Sequence, residues 1–168
     1  MERRIDIQPQ GRAIVTRRLS TEVIETHDTL EQALALRVRV FVDEQDVPPE
    51  EEVDAYDGIP EESVGALHVL TQLEGEALGT GRLIFAKTPG DVAKIGRVAV
   101  SKTSRGLGVG RAVMEKLHDE ARDRGVDVIE LGAQLHAIPF YEKLGYAAYG
   151  DIFLDANIEH RMMRLTLR

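Results

Sequence analysis

The spacing of apolar residues changes several times along the chain and predicts a mixture of helices and strands. Apolar residues three and four apart predict one helix near 30–41 and a second beginning near residue 109. A third, shorter helix is predicted at 137–145, with Pro139 near its start and Gly145 at its end. The apolar stretches between these segments lack helical spacing and are the candidate strands.

Two candidate strands, 66–70 and 77–85, flank Glu74-Gly75, so an antiparallel hairpin is expected there. The nearly continuous apolar run at 126–131 is typical of a buried central strand. Strands and helices mixed in this way, without a linker or an internal repeat, indicate one α+β domain. Further strands are predicted at 21–26, 98–100, 147–154 and 160–167.

The first 18 residues are polar and rich in arginine, and Pro9 and Gly11 interrupt any periodic pattern. Ile14 and Val15 could add a short strand, but a mobile extension is an equal alternative. We therefore divide the chain into an N-terminal extension, 1–18, that need not be ordered, and a domain at 19–168.

Residues 50–58, called the acidic segment below, contain five acidic side chains, Glu50, Glu51, Glu52, Asp54 and Asp57. Charge runs usually face water, so a solvated loop or short helix is expected. A role near the site of an acceptor substrate is the alternative.

Composition narrows the classes of function. The chain has 168 residues, 43% of them hydrophobic, which suits one domain with a sizeable core. It has no cysteine, which excludes disulfides and a cysteine nucleophile, and its histidines show no paired ligand spacing, so no metal site is predicted. A net charge of −8 argues against a nucleic-acid surface. No apolar run approaches the ~20 residues of a membrane span and no secretory signal is recognisable, so a cytoplasmic protein without membrane contact is expected.

A glycine-rich stretch after the apolar run 98–100 is the strongest candidate binding feature. Strand, glycine loop and helix N-terminus in that order can hold phosphate, because main-chain N–H groups turn inward and the helix dipole adds positive charge. Arg105 and Arg111 could supply full charges. No Gly-Lys pair occurs, which excludes a P-loop, and a dinucleotide fingerprint would need glycine where Arg111 stands. The pattern Arg105-x-x-Gly108-x-Gly110 and a simple strand-to-helix turn remain as alternatives.

Two motifs in a fixed order identify the chain as a member of a known superfamily. Arg105-x-x-Gly108-x-Gly110 resembles the coenzyme A pyrophosphate loop of the GNAT superfamily of N-acetyltransferases. One helix and one strand further on, residues 140–146 read Phe-Tyr-Glu-Lys-Leu-Gly-Tyr and resemble the superfamily's Phe-Tyr-Glu-Lys-x-Gly-Phe/Tyr segment. The resemblance covers about residues 21–168.

A narrower resemblance is to the ElaA-like branch. Residues 36–48 resemble its Leu-Arg-x-x-Val-Phe-Val-x-Glu-Gln-x-x-Pro signature, and Asp54 and Asp57 match the Asp-x-x-Asp that follows. His160 matches the branch's C-terminal histidine. Gln134 stands where many superfamily members carry asparagine, although the branch itself tends to have glutamine there.

The resemblance implies the GNAT fold, a mixed and mostly antiparallel sheet of about six to seven strands flanked by about four helices. It also implies transfer of an acetyl group from acetyl-coenzyme A, without a metal, to a primary amine of a small molecule or peptide. The lack of cysteine and of a Gly-x-Ser-x-Gly motif suits direct attack in a ternary complex. A monomer or homodimer is expected. The alternative function is a sensor domain that binds coenzyme A without turnover.

For the donor, the resemblance implies that main-chain groups of 98–100 pair with the pantetheine arm, with Val98 N–H a candidate donor to the developing oxyanion. The loop after this strand would hold the pyrophosphate. The implied coenzyme-binding residues are Val98, Ala99, Val100, Arg105, Gly106, Leu107, Gly108, Val109, Gly110, Arg111, Phe140 and Tyr141.

For the chemistry, the resemblance places Tyr141 where superfamily members carry the acid that protonates the leaving thiolate. Tyr141 could instead be a core residue beside Phe140. The general base that takes the proton of the amine stays open among His160, Glu44 and Asp57.

Overall fold

A computed structural model describes residues 3–7, 15–88 and 92–167 of the chain, and these ranges contain four α-helices and eight strands. The helices are α1 (His27–Arg37), α2 (Pro49–Glu52), α3 (Val109–Asp123) and α4 (Ile138–Glu142). The strands are β1 (Arg3–Ile7), β2 (Val15–Val23), β3 (Ala66–Leu73), β4 (Glu76–Ile84), β5 (Ala93–Val100), β6 (Val128–Gln134), β7 (Ala147–Asp155) and β8 (Ile158–Thr166). A π-helical segment (Val38–Glu44) follows α1, and short 3-10 turns lie at Lys102–Ser104 and Leu135–Ala137.

The strands form one sheet in the order β1-β2-β3-β4-β5-β6-β8-β7. Every neighbouring pair is antiparallel except β5 and β6, so the predicted mostly antiparallel sheet with four helices is confirmed. The sheet has one strand more than expected, because β1 lies in the N-terminal extension and pairs with β2. Val15 begins β2, whereas Ile14 lies outside the described residues.

The parallel strands β5 and β6 are paired over only two residues each, Ala93 with Ile129 and Lys94 with Glu130. Beyond these pairs β5 continues to Val100 and β6 to Gln134 without pairing to each other. Helix α3 provides the crossover that a parallel connection requires. The sheet therefore opens along one edge of β5, directly before the glycine loop.

Helix α3 packs closely against the strands beside this opening. Its buried stripe includes Val113 and Leu117, neither of which exposes any surface. On β4, a Cβ atom added to Gly81 would lie 2.8 Å from Val113 Cγ1 and 3.0 Å from Leu117 Cδ1. Glycine is needed at this position because the helix sits where a side chain would be.

Strand β5 contains a one-residue bulge at Arg97. Gly96 pairs with Arg82 of β4, but Ala99 pairs with Thr80, so β5 has one residue more than β4 between these pairs. Arg97 has φ 52°, a left-handed conformation that costs a non-glycine residue about 1–2 kcal/mol. Side chains alternate between the two faces of a strand, and N–H groups alternate between its two edges. The extra residue therefore reverses the face and the edge to which each following residue points.

A buried pair of polar side chains joins α3 to the residue that precedes β7. His118 Nε2 is 2.7 Å from the Tyr146 hydroxyl, and the two side chains are 5% and 3% exposed. Burial, with a smaller contribution from Arg122, lowers the pKa of His118 to about 4. The folded protein therefore holds His118 neutral across the ordinary pH range.

This neutral histidine predicts a pH dependence of stability. The unfolded chain binds a proton at His118 below pH ~6.5 but the folded protein only below about 4, so the free energy of unfolding falls as pH drops between these values. We expect a loss of about 2–3 kcal/mol from pH 7 to 4.5 in urea unfolding. His118→Gln should lose the part of this slope that His118 contributes and keep that of the buried His68, whose pKa burial also lowers, whereas His27→Gln, at an exposed histidine, should keep all of it. A slope that persists unchanged in His118→Gln would contradict this assignment.

Candidate active site

The opening between β5 and β6 is bordered by the glycine loop, α4, the end of β6 and the chain after α1. Phe140 of α4 lies against the start of α3, 3.2 Å from a Cβ placed on Gly110. Gln134 ends β6, and its side-chain Nε2 donates to Gln45 Oε1 at 2.7 Å. The residues that the sequence assigned to donor binding, Phe140 and the loop, are thus neighbours in space.

Main-chain groups of Val98 and Val100 face this opening. Ser101 N donates to Leu78 O at 2.8 Å across the β4–β5 ladder. Hydrogen-bonding groups alternate between the two edges of a strand, so Ala99 also faces β4. Val98 and Val100 consequently direct their N–H groups to the edge where β6 has separated.

The glycine loop presents its backbone without obstruction. Gly106 and Gly108 have φ of 80° and 82°, and an added Cβ at either would have no atom within 4 Å. Gly108 caps α3, a helix of 15 residues, and no side chain caps its first N–H groups. Free amides at a helix N-terminus favour an anion, so this geometry supports the predicted phosphate-binding loop.

The two arginines of the loop have different contacts. Arg105 folds back on β5, with Nη2 3.1 Å from Val100 O and 2.8 Å from Glu44 Oε2. Arg111 is exposed on α3 and donates from Nε to Glu115 Oε1 at 3.0 Å. Arg105 thus fixes the loop against the end of β5, while Arg111 stays at the surface beside it.

Tyr141 lies on α4 at the inner end of the opening and is 9% exposed. Its ring meets those of Phe140 and Tyr146 edge-on, with centroids 5.0 and 5.8 Å away. Burial raises the pKa of Tyr141 to about 12, which keeps the hydroxyl protonated and able to donate.

His160 is 9% exposed and occupies the register position opposite Gln134 on β8. Its Nδ1 lies 2.7 Å from Ile158 O, so the neutral ring donates from Nδ1 and keeps a lone pair on Nε2. The ring stacks on Phe153 with centroids 5.7 Å apart and planes 24° apart. This arrangement fixes the tautomer that a general base requires.

The π-helical segment brings Glu44 and Gln45 to opposite sides of the opening. Val40 in this segment packs with Ala99 of β5, which holds the segment against the reactive part of that strand. Glu44 contacts Arg105 on the loop side, and Gln45 contacts Gln134 on the β6 side. The predicted helix near 30–41 is therefore α1 followed by this wider turn, a feature often found at functional sites.

A buried network of charged side chains joins α1, the acidic segment and β4. Arg37, 1% exposed, donates to both carboxylate oxygens of Asp57 at 2.7 and 3.0 Å, and to Glu52 O at 2.7 Å. Arg82 makes a similar two-pronged contact with Asp54, with both distances 2.7 Å. The network anchors the acidic segment to the sheet.

The acidic segment begins with the expected short helix, α2, and most of its residues are exposed. The expectation of a solvated segment fails at Glu52, which is 3% exposed, and at Asp57, whose side chain is fully buried. Burial alone would raise the pKa of Asp57, but hydrogen bonds and the charge of Arg37 lower it below its ordinary value. In the same way, desolvation alone would raise the pKa of Asp54, but hydrogen bonds from Arg82 and the Tyr56 N–H, together with the charges of Arg82 and Arg97, lower it to about 2. Asp57 is bound to arginines, which weakens its candidacy as general base.

The arginine partners in this network were missed by the sequence analysis. Arg37 and Arg82 lie within segments predicted as helix and strand, and Arg97 directly precedes the predicted strand 98–100. Arginines at such positions require partners when they are buried. Their coincidence with an acidic run is the signal that could have revealed the network. Among the described residues, no three His, Asp or Glu side chains lie together as metal ligands would, and no helix is both long and apolar enough to span a membrane.

Comparison with known proteins identifies the family. The acetyltransferase (GNAT) family matches residues 30–146, and the chain belongs to this family. Its relatives include the N-acetyltransferase YjcF of Bacillus subtilis strain 168, itself uncharacterised, 35% identical over 142 residues that cover 84% of this chain and 95% of YjcF. ElaA of Escherichia coli K12 is 30% identical over 128 residues, 76% of this chain and 80% of ElaA.

Solved structures agree with this assignment. The crystal structure of Escherichia coli ElaA matches with a TM-score of 0.75 at 26% identity, covering 87% of this chain and 98% of ElaA. An acyl-CoA N-acyltransferase from Pseudomonas aeruginosa matches with a TM-score of 0.73 at 30% identity, with the same coverage of 87% and 98%. The GNAT fold and the resemblance to the ElaA-like branch are therefore confirmed.

The buried network predicts that replacing one carboxylate oxygen by an amide nitrogen has a large effect on stability. Asp57→Asn keeps the shape of the side chain but leaves Arg37 buried without its main counter-charge, so we expect a loss of about 3 kcal/mol in the free energy of unfolding. Asp54→Asn, at a side chain 36% exposed, is the control and should lose clearly less. Urea unfolding at pH 7 measures both. Equal, small losses would show that the network does not stabilise the fold.

Proposed function

We propose that this protein is an N-acetyltransferase that transfers the acetyl group of acetyl-coenzyme A to a primary amine of a small molecule or peptide. The observation that carries the proposal is the unpaired edge of β5, which joins the glycine loop at one end and faces α4 beside the opening. An extended ligand with a phosphate end and an amide-bearing arm fits this arrangement. A cytoplasmic location and a monomeric or homodimeric state stay predictions.

For the donor, the amides of Gly106, Gly108 and the first turn of α3 would hold the pyrophosphate. The pantetheine amides would pair with the main chain of Val98 and Val100, which otherwise lacks a neighbouring strand at this edge. In this pairing the ligand lies beside β5 as an additional strand would, and its thioester is aligned along β5. Orientation of this kind is a large part of the rate that an acyltransferase needs.

In the chemical step, the neutral amine attacks the thioester carbon and the carbonyl oxygen becomes an oxyanion, which Val98 N–H stabilises. The carbon–sulfur bond then breaks, and the thiolate takes the proton of the Tyr141 hydroxyl. The amide nitrogen loses its extra proton to a base. His160 suits this role best, since its Nε2 lone pair is available, while Glu44 is bound to Arg105.

Gly108→Ala should weaken coenzyme A binding at least tenfold, because the methyl group enters the space next to the loop amides. Gly75→Ala is a matched control: Gly75 has φ 83° and the same open surroundings, but lies in the β3–β4 turn. Both changes should destabilise the fold similarly, and only the first should change affinity in calorimetry with coenzyme A. Unchanged affinity in Gly108→Ala, or tight binding of NAD in place of coenzyme A, would refute the assigned loop.

Tyr141→Phe should lower kcat about 100-fold while the Kd for coenzyme A changes little, because only the proton donor is lost. Tyr146→Phe is the control, since it removes a hydroxyl hydrogen-bonded to His118 and should affect stability rather than turnover. Release of free thiol with a panel of primary amines measures the rate. Full activity of Tyr141→Phe would exclude the acid role, and coenzyme A binding with no turnover on any amine would favour the sensor function.

A further inference from the structure

We propose that Arg97 is a positioning residue, which ties the bulge of β5 to α2 and thereby fixes the direction of Val98 N–H. This inference rests on the proposed function, because it concerns the donor to the oxyanion. It assigns a role in the reaction to the otherwise structural acidic segment.

The bulge is not centred where backbone preference would place it. The left-handed conformation falls on Arg97, although Gly96 precedes it, has no positive φ and has open space around its Cα. Glycine adopts positive φ with no steric cost, so a bulge governed by backbone preference would be centred on Gly96. Contacts of the Arg97 side chain must therefore select its position.

Those contacts all lead to the acidic segment. Arg97 Nε lies 3.2 Å from Glu52 O, and Nη2 lies 3.2 Å from Glu51 O. The guanidinium is also 3.5 Å from Glu52 Oε2 and 3.6 Å from Asp54 Oδ2. Two carbonyls at the end of α2 and two carboxylates thus hold one side chain that is 26% exposed.

The acidic segment is itself held firmly, which makes it an effective anchor. Glu52 O also accepts a hydrogen bond from Nη2 of the buried Arg37 at 2.7 Å. A continuous chain of contacts runs from α1 through α2 to the Arg97 side chain. The bulge is therefore fixed from the α1 side of the sheet, while α3 packs on the other side.

The bulge acts directly on the catalytic amide. The N–H of Val98 belongs to the same planar peptide unit as the carbonyl of Arg97, so the backbone angles of Arg97 set its direction. A bulge that shifts or exchanges between positions would rotate this N–H away from the thioester. The loss would appear in kcat, since the pyrophosphate loop does not depend on Arg97.

Three variants separate the side-chain contacts from the backbone conformation. Arg97→Ala removes the contacts but keeps the cost of positive φ, and Arg97→Gly removes both the contacts and that cost. Arg97→Lys keeps the positive charge but not the planar guanidinium with its several N–H donors. We expect kcat to fall at least tenfold in Arg97→Ala with less than a threefold change in KM for acetyl-coenzyme A. Arg97→Gly should also lose kcat, because it lacks the same contacts, although it is relieved of the cost of positive φ. Equal kcat in Arg97→Ala and the unchanged protein, or full kcat in Arg97→Gly, would overturn the inference.

A second readout does not require turnover. In protein labelled with ¹⁵N-valine, the amide signals of Val98 and Val100 should broaden or shift in both Arg97→Ala and Arg97→Gly, while that of Val128 stays in place. Any substitution next to Val98 shifts its signal, so the deciding signal is that of Val100. Arg97→Lys replaces Arg97→Ala if the latter does not fold. An unmoved, sharp Val100 signal would refute the positioning role even if no amine is acetylated. Absence of turnover with a moved Val100 signal would count against the proposed function alone.

Discussion

The separation of β5 from β6 is the constraint on which the rest of the structure depends. Main-chain N–H and C=O groups need partners, and a strand inside a sheet normally finds them on both sides. Here β5 has β4 on one side but pairs with β6 only at Ala93 and Lys94. An extended ligand can take the place of the missing neighbour, and we propose this edge as the binding site for that reason. In the proposed complex, the bulge at Arg97 sets which groups of the strand the ligand meets.

The charged network explains why such an opening can be rigid. A strand edge without a neighbouring strand would be expected to move, but both faces of the sheet at β5 are covered by other elements. Helix α3 packs against Gly79 and Gly81 of β4, and the arginine network secures α2 and the bulge on the opposite face. Buried ion pairs add little net stability on average, but they impose one geometry because any other leaves charges unpaired. In this protein that geometry serves the edge of β5.

Much of the fold and part of the site could be predicted from the sequence. Apolar spacing located α1 and α3, and the strands with their turn residues located the hairpin around Glu74-Gly75, because those features depend on local pattern. The glycine loop could be singled out as a candidate phosphate site, since phosphate binding needs glycines at short, fixed spacing. The bulge at Arg97 and the contacts of Arg37 depend on residues far apart in the chain. No local pattern specifies them, and the burial of Glu52 and Asp57 in the acidic segment was not predicted for that reason.

The most direct test of the account is a crystal structure of the protein with acetyl-coenzyme A. The account predicts that the pantetheine arm lies along β5, with the thioester oxygen within hydrogen-bond distance of Val98 N and the sulfur beside the Tyr141 hydroxyl. The pyrophosphate should contact the amides of Gly106 and Gly108. A coenzyme bound away from β5, or one whose thioester lies far from both Val98 and Tyr141, would contradict it.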